Sequence, residues 1–181
     1  MKILILYGTT EGQTARIAGF LGDRLRASGH AVLVADSAAD AQPDPAGFDA
    51  AILAASLHAG SYQDSVAAYA RRHRARLAAM PSAFVSVSLS AAGTDPGDLK
   101  GLAACVAAFE LRTGWHPDRL HHAAGAFRFT RYGLLKRWAM RWVAWRRGQS
   151  IDATRDRELT DWEALAGFVD RFATDAAQAR Q

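Results

Sequence analysis

The sequence predicts an α/β fold built on a doubly wound sheet of five parallel strands. Short apolar runs alternate along the chain with segments whose apolar residues recur every three or four positions, as strands alternate with helices. The first run, Lys2–Tyr7, is continuously apolar, which is typical of a parallel strand buried on both faces. With 181 residues, half of them hydrophobic, residues 1–181 are expected to form a single domain.

The elements before residue 58 are predicted to be a strand, a helix and two further strands. After Lys2–Tyr7, the segment Thr14–Ser28 has helical spacing, and Gly29 stands where a C-terminal cap belongs. His30–Ala35 and Phe48–Ser56 are short apolar runs, and we expect both to be strands.

The same alternation continues in the middle of the chain. Gln63–Met80 is a predicted helix that Pro81 closes, and Ser82–Leu89 is the fourth strand. A further helix begins at Pro96, a residue type favoured in the first helical turn. Its apolar stripe consists of Leu99, Leu102, Val106 and Phe109.

Three elements are predicted in the last third of the chain. Leu120–Phe129 is the fifth strand, weakened by Gly125, and Tyr132–Arg147 is an amphipathic helix. Thr160 and Glu163 have the spacing of a capping box, which would open the last helix. The apolar stripe of that helix consists of Leu165, Phe168, Val169 and Phe172.

Charge is unevenly distributed along the chain, whose formal net charge is +4. No acid lies between Asp118 and Asp152. The eight bases of that stretch are Arg119, Arg128, Arg131, Lys136, Arg137, Arg141, Arg146 and Arg147. The remainder has 14 bases against 18 acids, so a mildly acidic domain carries a basic insert at about 130–148. An anionic surface or polyanion is its expected partner.

Cysteine content and hydropathy exclude several classes of protein. A single cysteine, Cys105, cannot form an internal disulfide, a cysteine-based zinc site or an iron–sulfur cluster, and we expect no metal. The first apolar run is shorter than a signal peptide requires, and no apolar stretch approaches about 20 residues. We therefore expect a cytoplasmic protein without a membrane span.

The loop after the first strand, Gly8–Thr14, is the motif in this sequence that most clearly indicates a binding site. Backbone N–H groups at a helix start, together with threonine hydroxyls, make a phosphate cradle without any cation. The spacing fits neither a P-loop nor the dinucleotide pattern G-x-G-x-x-G, so a terminal monophosphate suits the loop best. The alternative is a turn in which Thr10 merely caps the helix. In such sheets the loops Ser56–Tyr62 and Leu89–Asp98 would also border a ligand.

The loop Thr9–Thr14 resembles the phosphate loop of flavodoxins, which bind FMN. Four segments in order along nearly the whole chain also resemble the flavodoxin-like, quinone-dependent protoporphyrinogen dehydrogenases of haem biosynthesis. They are GTTEGQT, MPSAFVSVSL, GWHPDRLHHAAGAFRFTRY and TDWEALAGFVDRFA. The resemblance implies a flavodoxin-like fold and FMN-dependent oxidation of protoporphyrinogen IX to protoporphyrin IX, with electrons passed to a membrane quinone.

The resemblance also implies which residues hold FMN. Its phosphate would be held by Thr9, Thr10, Glu11, Gly12, Gln13 and Thr14. The flavin ring would be bordered by Ser56, Leu57, His58, Ala59, Gly60, Tyr62, Val87, Ser88, Leu89, Ser90, Ala91, Ala92 and Gly93. No catalytic side chain is singled out, because a flavin carries the redox chemistry itself.

The basic insert is expected to contact substrate and membrane. Arg128 and Arg131 could bind the propionates of a porphyrinogen, or could simply be solvated at the end of a strand. One face of the Tyr132–Arg147 helix would carry Leu134, Leu135, Trp138, Trp142 and Trp145. With bases opposite and beside this face, such a helix lies in an anionic membrane interface. We therefore expect peripheral association with the inner face of the cell membrane; the alternative is a core helix that packs on the sheet.

Two other functions stay open. A flavodoxin-type FMN carrier would dock on protein partners, although carriers usually dock through acidic surfaces and this insert is basic. A flavin-free module could bind nucleic acid, but no recognised motif for this is present, and tryptophans on one helical face suit a membrane interface better. We therefore expect no nucleic-acid partner. The sequence predicts no oligomeric state.

Overall fold

A computed structural model of the chain describes residues 1–92, 96–127 and 157–179. Within these ranges the strands are β1 (Lys2–Gly8), β2 (Ala31–Asp36), β3 (Ala50–His58), β4 (Ser61–Tyr62), β5 (Ser82–Ser88), β6 (Arg119–Ala124), β7 (Ala126–Phe127) and β8 (Arg157–Glu158). The helices are α1 (Gln13–Ala27), α2 (Asp64–Arg72), α3 (Arg74–Ala78), α4 (Pro96–Thr113) and α5 (Trp162–Gln178). Single 3₁₀ turns cover Pro45–Gly47 and Ser90–Ala92.

The longer strands pair in parallel in the order β2-β1-β3-β5-β6. The strand order reverses beside β1, and ligands of such sheets bind at this point, outside the carboxyl ends of the strands. The short β4 pairs antiparallel with β3, and β7 pairs antiparallel with β8 in a separate ribbon. The predicted doubly wound sheet of five parallel strands is confirmed, and β4 is added to it at the carboxyl end of β3.

Both faces of the sheet are covered, as alternate side chains of β1 show. Ile3 and Ile5 pack with α1 and α5, whereas Leu4 and Leu6 pack with α2 and α4. All four side chains are fully buried. Burial of such a side chain stabilises the fold by about 1.5–3 kcal/mol, which is why β1 is continuously apolar from Ile3 to Leu6 rather than alternating.

The predicted helix Gln63–Met80 is divided into two. His73 leaves helical geometry at φ −106° and ψ 16°, and its ring packs against Tyr69 at 4.5 Å between centroids. No glycine or proline marks this break in the sequence, so helical spacing alone could not locate it.

The predicted N-cap of the last helix is wrong by one residue. Asp161 is the cap, because its Oδ1 accepts a hydrogen bond from the Ala164 N–H at 2.9 Å. The hydroxyl of Thr160 is instead engaged with other parts of the fold. The predicted apolar stripe of this helix is buried as expected.

Two further boundaries differ from the prediction. Leu99 is 49% exposed, although the rest of its predicted stripe is buried, because helical spacing identifies a face but not where the neighbouring layer begins. The fifth strand ends at Ala124, and Gly125 turns the chain away from the sheet into β7.

Several predicted features lie outside the described residues. These are the helix Tyr132–Arg147, the basic insert at about 130–148, Gly93, Arg128, Arg131, Trp138, Trp142 and Trp145. In the part of the chain that the structure describes, none of the helices has the length and hydropathy needed to cross a bilayer.

Candidate functional site

The loop after β1 leads directly into the start of α1, as the cradle requires. Gly12 adopts φ 89°, a left-handed conformation that glycine takes without strain, and no side chain caps the helix that follows. Thr9 Oγ1 accepts a hydrogen bond from the Gly12 N–H at 2.9 Å, which closes the loop on itself. The first turn of α1 therefore presents its backbone N–H groups and the positive end of its dipole to this edge of the sheet.

Thr14 is the most informative residue of this loop. It is fully buried, and its Oγ1 has no hydrogen-bond partner among the described residues. Leaving a buried hydroxyl unpaired costs about 1–3 kcal/mol. An anion at the start of α1 would remove this cost, so an unpaired donor lies where the predicted phosphate loop needs one.

The second loop is a two-residue hairpin between β3 and β4. Ala59 and Gly60 both have positive φ, of 49° and 83°, as a type I′ turn demands. His58 pairs with Ser61 across the hairpin, and the His58 side chain is exposed. This turn holds residues 58–60 at the carboxyl end of β3, beside the predicted phosphate loop.

Tyr62 does not face this edge of the sheet. Its ring is 4% exposed and packs edge-on against Phe84 and Phe109, and its Oη shares a hydrogen bond with Ser86 Oγ at 2.8 Å. Burial raises the pKa of its phenol to about 12. Tyr62 lies directly opposite Leu57 in the hairpin, so both side chains enter the core, and this burial argues against the predicted contact of Tyr62 with a flavin.

The third loop follows β5. Val87 is buried in the core on the α1 and α5 side, so its side chain does not face a ligand. Ser88 Oγ accepts a hydrogen bond from the Ala91 N–H at 3.1 Å and shapes the turn that follows. Leu89, Ser90 and Ala91 are half-buried and Ala92 is exposed, next to the carboxyl end of the sheet.

Two residues without a predicted role in the site, Gln63 and Thr160, connect its loops to each other and to the sheet. Gln63 Nε2 donates to Thr10 Oγ1 at 3.1 Å and to Ser56 Oγ, and its Oε1 accepts from the Ser56 N–H at 3.0 Å. Thr160 Oγ1 donates to the Ala124 carbonyl at 2.8 Å and accepts from Gln13 Nε2 at 2.9 Å. No sequence pattern marks a side-chain amide or hydroxyl as a link between loops far apart in the chain.

Among curated proteins, the protoporphyrinogen IX dehydrogenase [quinone] of Escherichia coli (strain K12) is 32% identical over 173 residues, which cover 96% of this chain and 95% of that protein. The protein of the same name from Leishmania major is 30% identical over 176 residues, covering 95% of this chain and 74% of that protein.

The fold has close counterparts among solved structures. Oxidised flavodoxin 2 from Bacillus cereus matches 97% of this chain and 99% of its own, with a TM-score of 0.59 and 15% identity, a likeness of fold alone. The flavodoxin domain family matches residues 4–154. The chain therefore belongs to the flavodoxin domain family and, within it, to the quinone-dependent protoporphyrinogen IX dehydrogenases, which are oxidoreductases.

Proposed function

We propose that this chain binds FMN and oxidises protoporphyrinogen IX to protoporphyrin IX, with electrons passed to a membrane quinone. Membership in the flavodoxin domain family implies a flavin cofactor. The names of the curated relatives supply the substrate and the acceptor class. The unpaired hydroxyl of Thr14 is the observation in this chain that carries the proposal, because it lies buried in the predicted phosphate loop.

The residues of this loop fit the phosphate of FMN. Its six residues, Thr9, Thr10, Glu11, Gly12, Gln13 and Thr14, would hold the phosphate through threonine hydroxyls and the N–H groups at the start of α1. The loop lacks the G-x-G-x-x-G spacing that is typical of sites for dinucleotides, the class to which FAD belongs. FMN rather than FAD is therefore the proposed cofactor.

The ring of the flavin would lie between the second and third loops. Ser56, His58, Ala59 and Gly60 would border it on one side, and Ser88, Leu89, Ser90, Ala91, Ala92 and Gly93 on the other. A bound flavin supplies the redox chemistry, and the protein positions it and sets its electrostatic surroundings. Gln63 supports this arrangement, because it fixes Ser56 to Thr10 and so holds the second loop against the first.

Arg128 and Arg131 are the proposed contacts for the substrate's propionates. They follow β7 in the sequence, and the Gly125 N–H just before β7 donates to the Ser88 carbonyl at 2.9 Å. The described chain therefore enters segment 128–156 beside the third loop. Arg119 differs from these bases, because it forms an ion pair with Asp175 at 2.7 Å.

We propose further that the protein associates peripherally with the inner face of the cell membrane. The support is the pattern of tryptophans and bases in Tyr132–Arg147, together with the lipid-soluble acceptor. Association would bring the cofactor site to the quinone.

One assay tests the central proposal. The purified chain, loaded with FMN, is mixed anaerobically with protoporphyrinogen IX and a quinone, and porphyrin fluorescence is followed. We expect fluorescence that depends on both protein and quinone, and we expect the purified chain to carry FMN and no FAD. Flavin binding without porphyrin formation would favour the electron carrier, and a protein that binds no flavin would refute both.

A further inference from the structure

Thr160 lies between the start of α5 and the end of the β7–β8 ribbon, and its side chain is 9% exposed. Since Asp161 caps α5, the Thr160 hydroxyl is free to serve a different purpose. It donates one hydrogen bond to the Ala124 carbonyl at the end of β6 and accepts another from Gln13 Nε2 at the start of α1. One hydroxyl thus joins the sheet, the last helix and the proposed phosphate loop.

The same region holds both ends of segment 128–156. Ala126 pairs with Glu158 and Phe127 with Arg157 in the ribbon. The Leu159 N–H donates to the Gly125 carbonyl at 3.3 Å, one residue before Thr160. The points where the chain enters and leaves segment 128–156 are therefore hydrogen-bonded to each other and, through Thr160, to Gln13.

We propose that Thr160 is a positioning residue that couples the phosphate loop to the β7–β8 ribbon. Order at the start of α1 would stabilise the ribbon, and order in the ribbon would stabilise the start of α1 by the same free energy, because coupling is reciprocal. A ligand in the phosphate loop then strengthens the base of segment 128–156. The inference rests on the proposed function only for the identity of that ligand, FMN.

Hydrogen exchange in the ligand-free protein tests the coupling without any flavin. Thr160→Val removes the hydroxyl and keeps the shape. We expect exchange on the order of fivefold faster at the Leu159 N–H, which donates to the Gly125 carbonyl next to the ribbon, and at the Gly125 N–H, which donates to the Ser88 carbonyl where the chain leaves the sheet. The same increase is expected at the Arg16 N–H, which donates to the Gly12 carbonyl in the first turn of α1.

Two companion variants separate the hydroxyl from other effects. Thr160→Ser restores the hydroxyl and should return all three exchange rates to those of the wild type. Thr174→Val is the matched control, because Thr174 donates to the Asp170 carbonyl on the exposed side of the same helix, and it should leave these rates unchanged.

FMN supplies the second arm of the experiment. Added FMN should slow exchange at Leu159 and Gly125 in the wild type and in Thr160→Ser, but not in Thr160→Val, whose dissociation constant for FMN should rise about fivefold. Wild-type exchange rates in Thr160→Val, or a serine variant that behaves like the valine variant, would overturn the proposal.

The remaining outcomes are also decisive. If Thr160→Val does not fold, Gln13→Leu cuts the same link from the other side, and it must speed exchange at Leu159 in the ligand-free protein. A wild type that binds no FMN would refute the proposed function, whereas the ligand-free rates would still decide whether Thr160 couples the two parts.

Discussion

Gln63 Nε2 donates a hydrogen bond to Thr10 Oγ1 at 3.1 Å, although 53 positions separate the two residues in the chain. The other end of the same amide accepts from the Ser56 N–H, so one side chain fixes the relative position of two loops. Gly8 allows this approach, because a Cβ there would lie 2.6 Å from Val66 Cγ2 and 3.1 Å from Gln63 Cβ. The start of α2 is therefore packed directly against the beginning of the proposed phosphate loop.

Replacing this amide should weaken cofactor binding. Gln63→Leu can neither donate to Thr10 nor accept from Ser56, so we expect the dissociation constant for FMN to rise about fivefold to tenfold. Titration of flavin fluorescence measures it. Gln178→Leu, which changes an exposed glutamine at the end of α5, is the control and should bind as the wild type does. Equal affinity of Gln63→Leu and wild type would show that the link is dispensable.

Replacing Thr14 or Thr113 by valine should have opposite effects on stability and on FMN affinity. Thr14→Val removes an unpaired buried hydroxyl, so the cofactor-free protein should be as stable as the wild type or more so, while FMN affinity falls. Thr113→Val removes a hydroxyl that donates to the Phe109 carbonyl at 2.9 Å, so it should lose about 1–2 kcal/mol of stability. Its FMN affinity should be retained.

Denaturant unfolding and FMN titration of both variants check this pair. A loss of stability in cofactor-free Thr14→Val, as large as that in Thr113→Val, would mean that Thr14 is structural and has no role in holding an anion.

Most of the fold could be predicted from the sequence, because buried strands and helix ends leave patterns in the order of apolar residues and glycines. A sheet buried on both faces requires continuous apolar strands, and Lys2–Tyr7 is one. The turn from β1 into α1 was predictable for a similar reason, since Gly12, with φ 89°, stands directly before the first residue of the helix. Gly29, with φ 83°, likewise marks the end of α1 as predicted.

Features that depend on the direction of single side chains were not predictable. Tyr62 is close in sequence to the second loop, but its pairing with Leu57 turns the ring into the core. Thr160 has the spacing of a cap, yet its hydroxyl reaches Ala124 and Gln13, which only the folded chain brings together. Sequence spacing says which residues are near a site, and the register of the strands decides which of them face it.

The turn between β3 and β4 offers a test of backbone strain. Ala59 has φ 49°, which costs a residue with a Cβ about 1–2 kcal/mol, and asparagine tolerates this region better. Ala59→Asn should therefore raise the free energy of unfolding by up to about 1 kcal/mol. Gly60→Ala, at φ 83°, should lower it by about 1 kcal/mol.

A matched control for this turn lies in α4. A Cβ added at Gly101 would meet no atom within 4 Å, so Gly101→Ala should stabilise the helix by about 1 kcal/mol. Thermal or denaturant unfolding measures all three variants. Opposite signs for the two glycine-to-alanine changes are expected, and equal signs would contradict the backbone argument.

His121 should make stability depend on pH. Its ring stacks on Phe168 at 4.9 Å, and burial lowers its pKa, with the charges of His122 and Arg171 lowering it further against the opposing effect of Asp161. The folded state then holds the ring neutral, while the unfolded chain takes up a proton below its ordinary pKa of about 6.5. Stability is therefore complete above that pH and is lost as the pH falls below it.

Thermal unfolding between about pH 7.5 and about pH 5.5 measures this dependence. His121→Leu should reduce the fall in Tm across that interval, because leucine takes up no proton in the unfolded chain. His122→Leu should also reduce it, since burial lowers the pKa of His122 too. An unchanged fall in Tm in both variants would mean that other groups cause the acid sensitivity.

The tryptophans of Tyr132–Arg147 test the proposed association with a membrane. Trp138, Trp142 and Trp145 share a helical face in the sequence pattern, and each nearby base adds about 1 kcal/mol at an anionic surface. We expect the wild type to bind anionic vesicles at low salt and to be released as salt screens the charges. Changing the three tryptophans to serine should abolish vesicle binding while FMN stays bound.

The matched control changes Leu33, Leu111 and Leu120 to serine, since these are 44%, 86% and 41% exposed elsewhere on the protein, and it should still bind vesicles. A wild type that ignores anionic vesicles at low salt, or a tryptophan variant that unfolds, would instead make this segment part of the core.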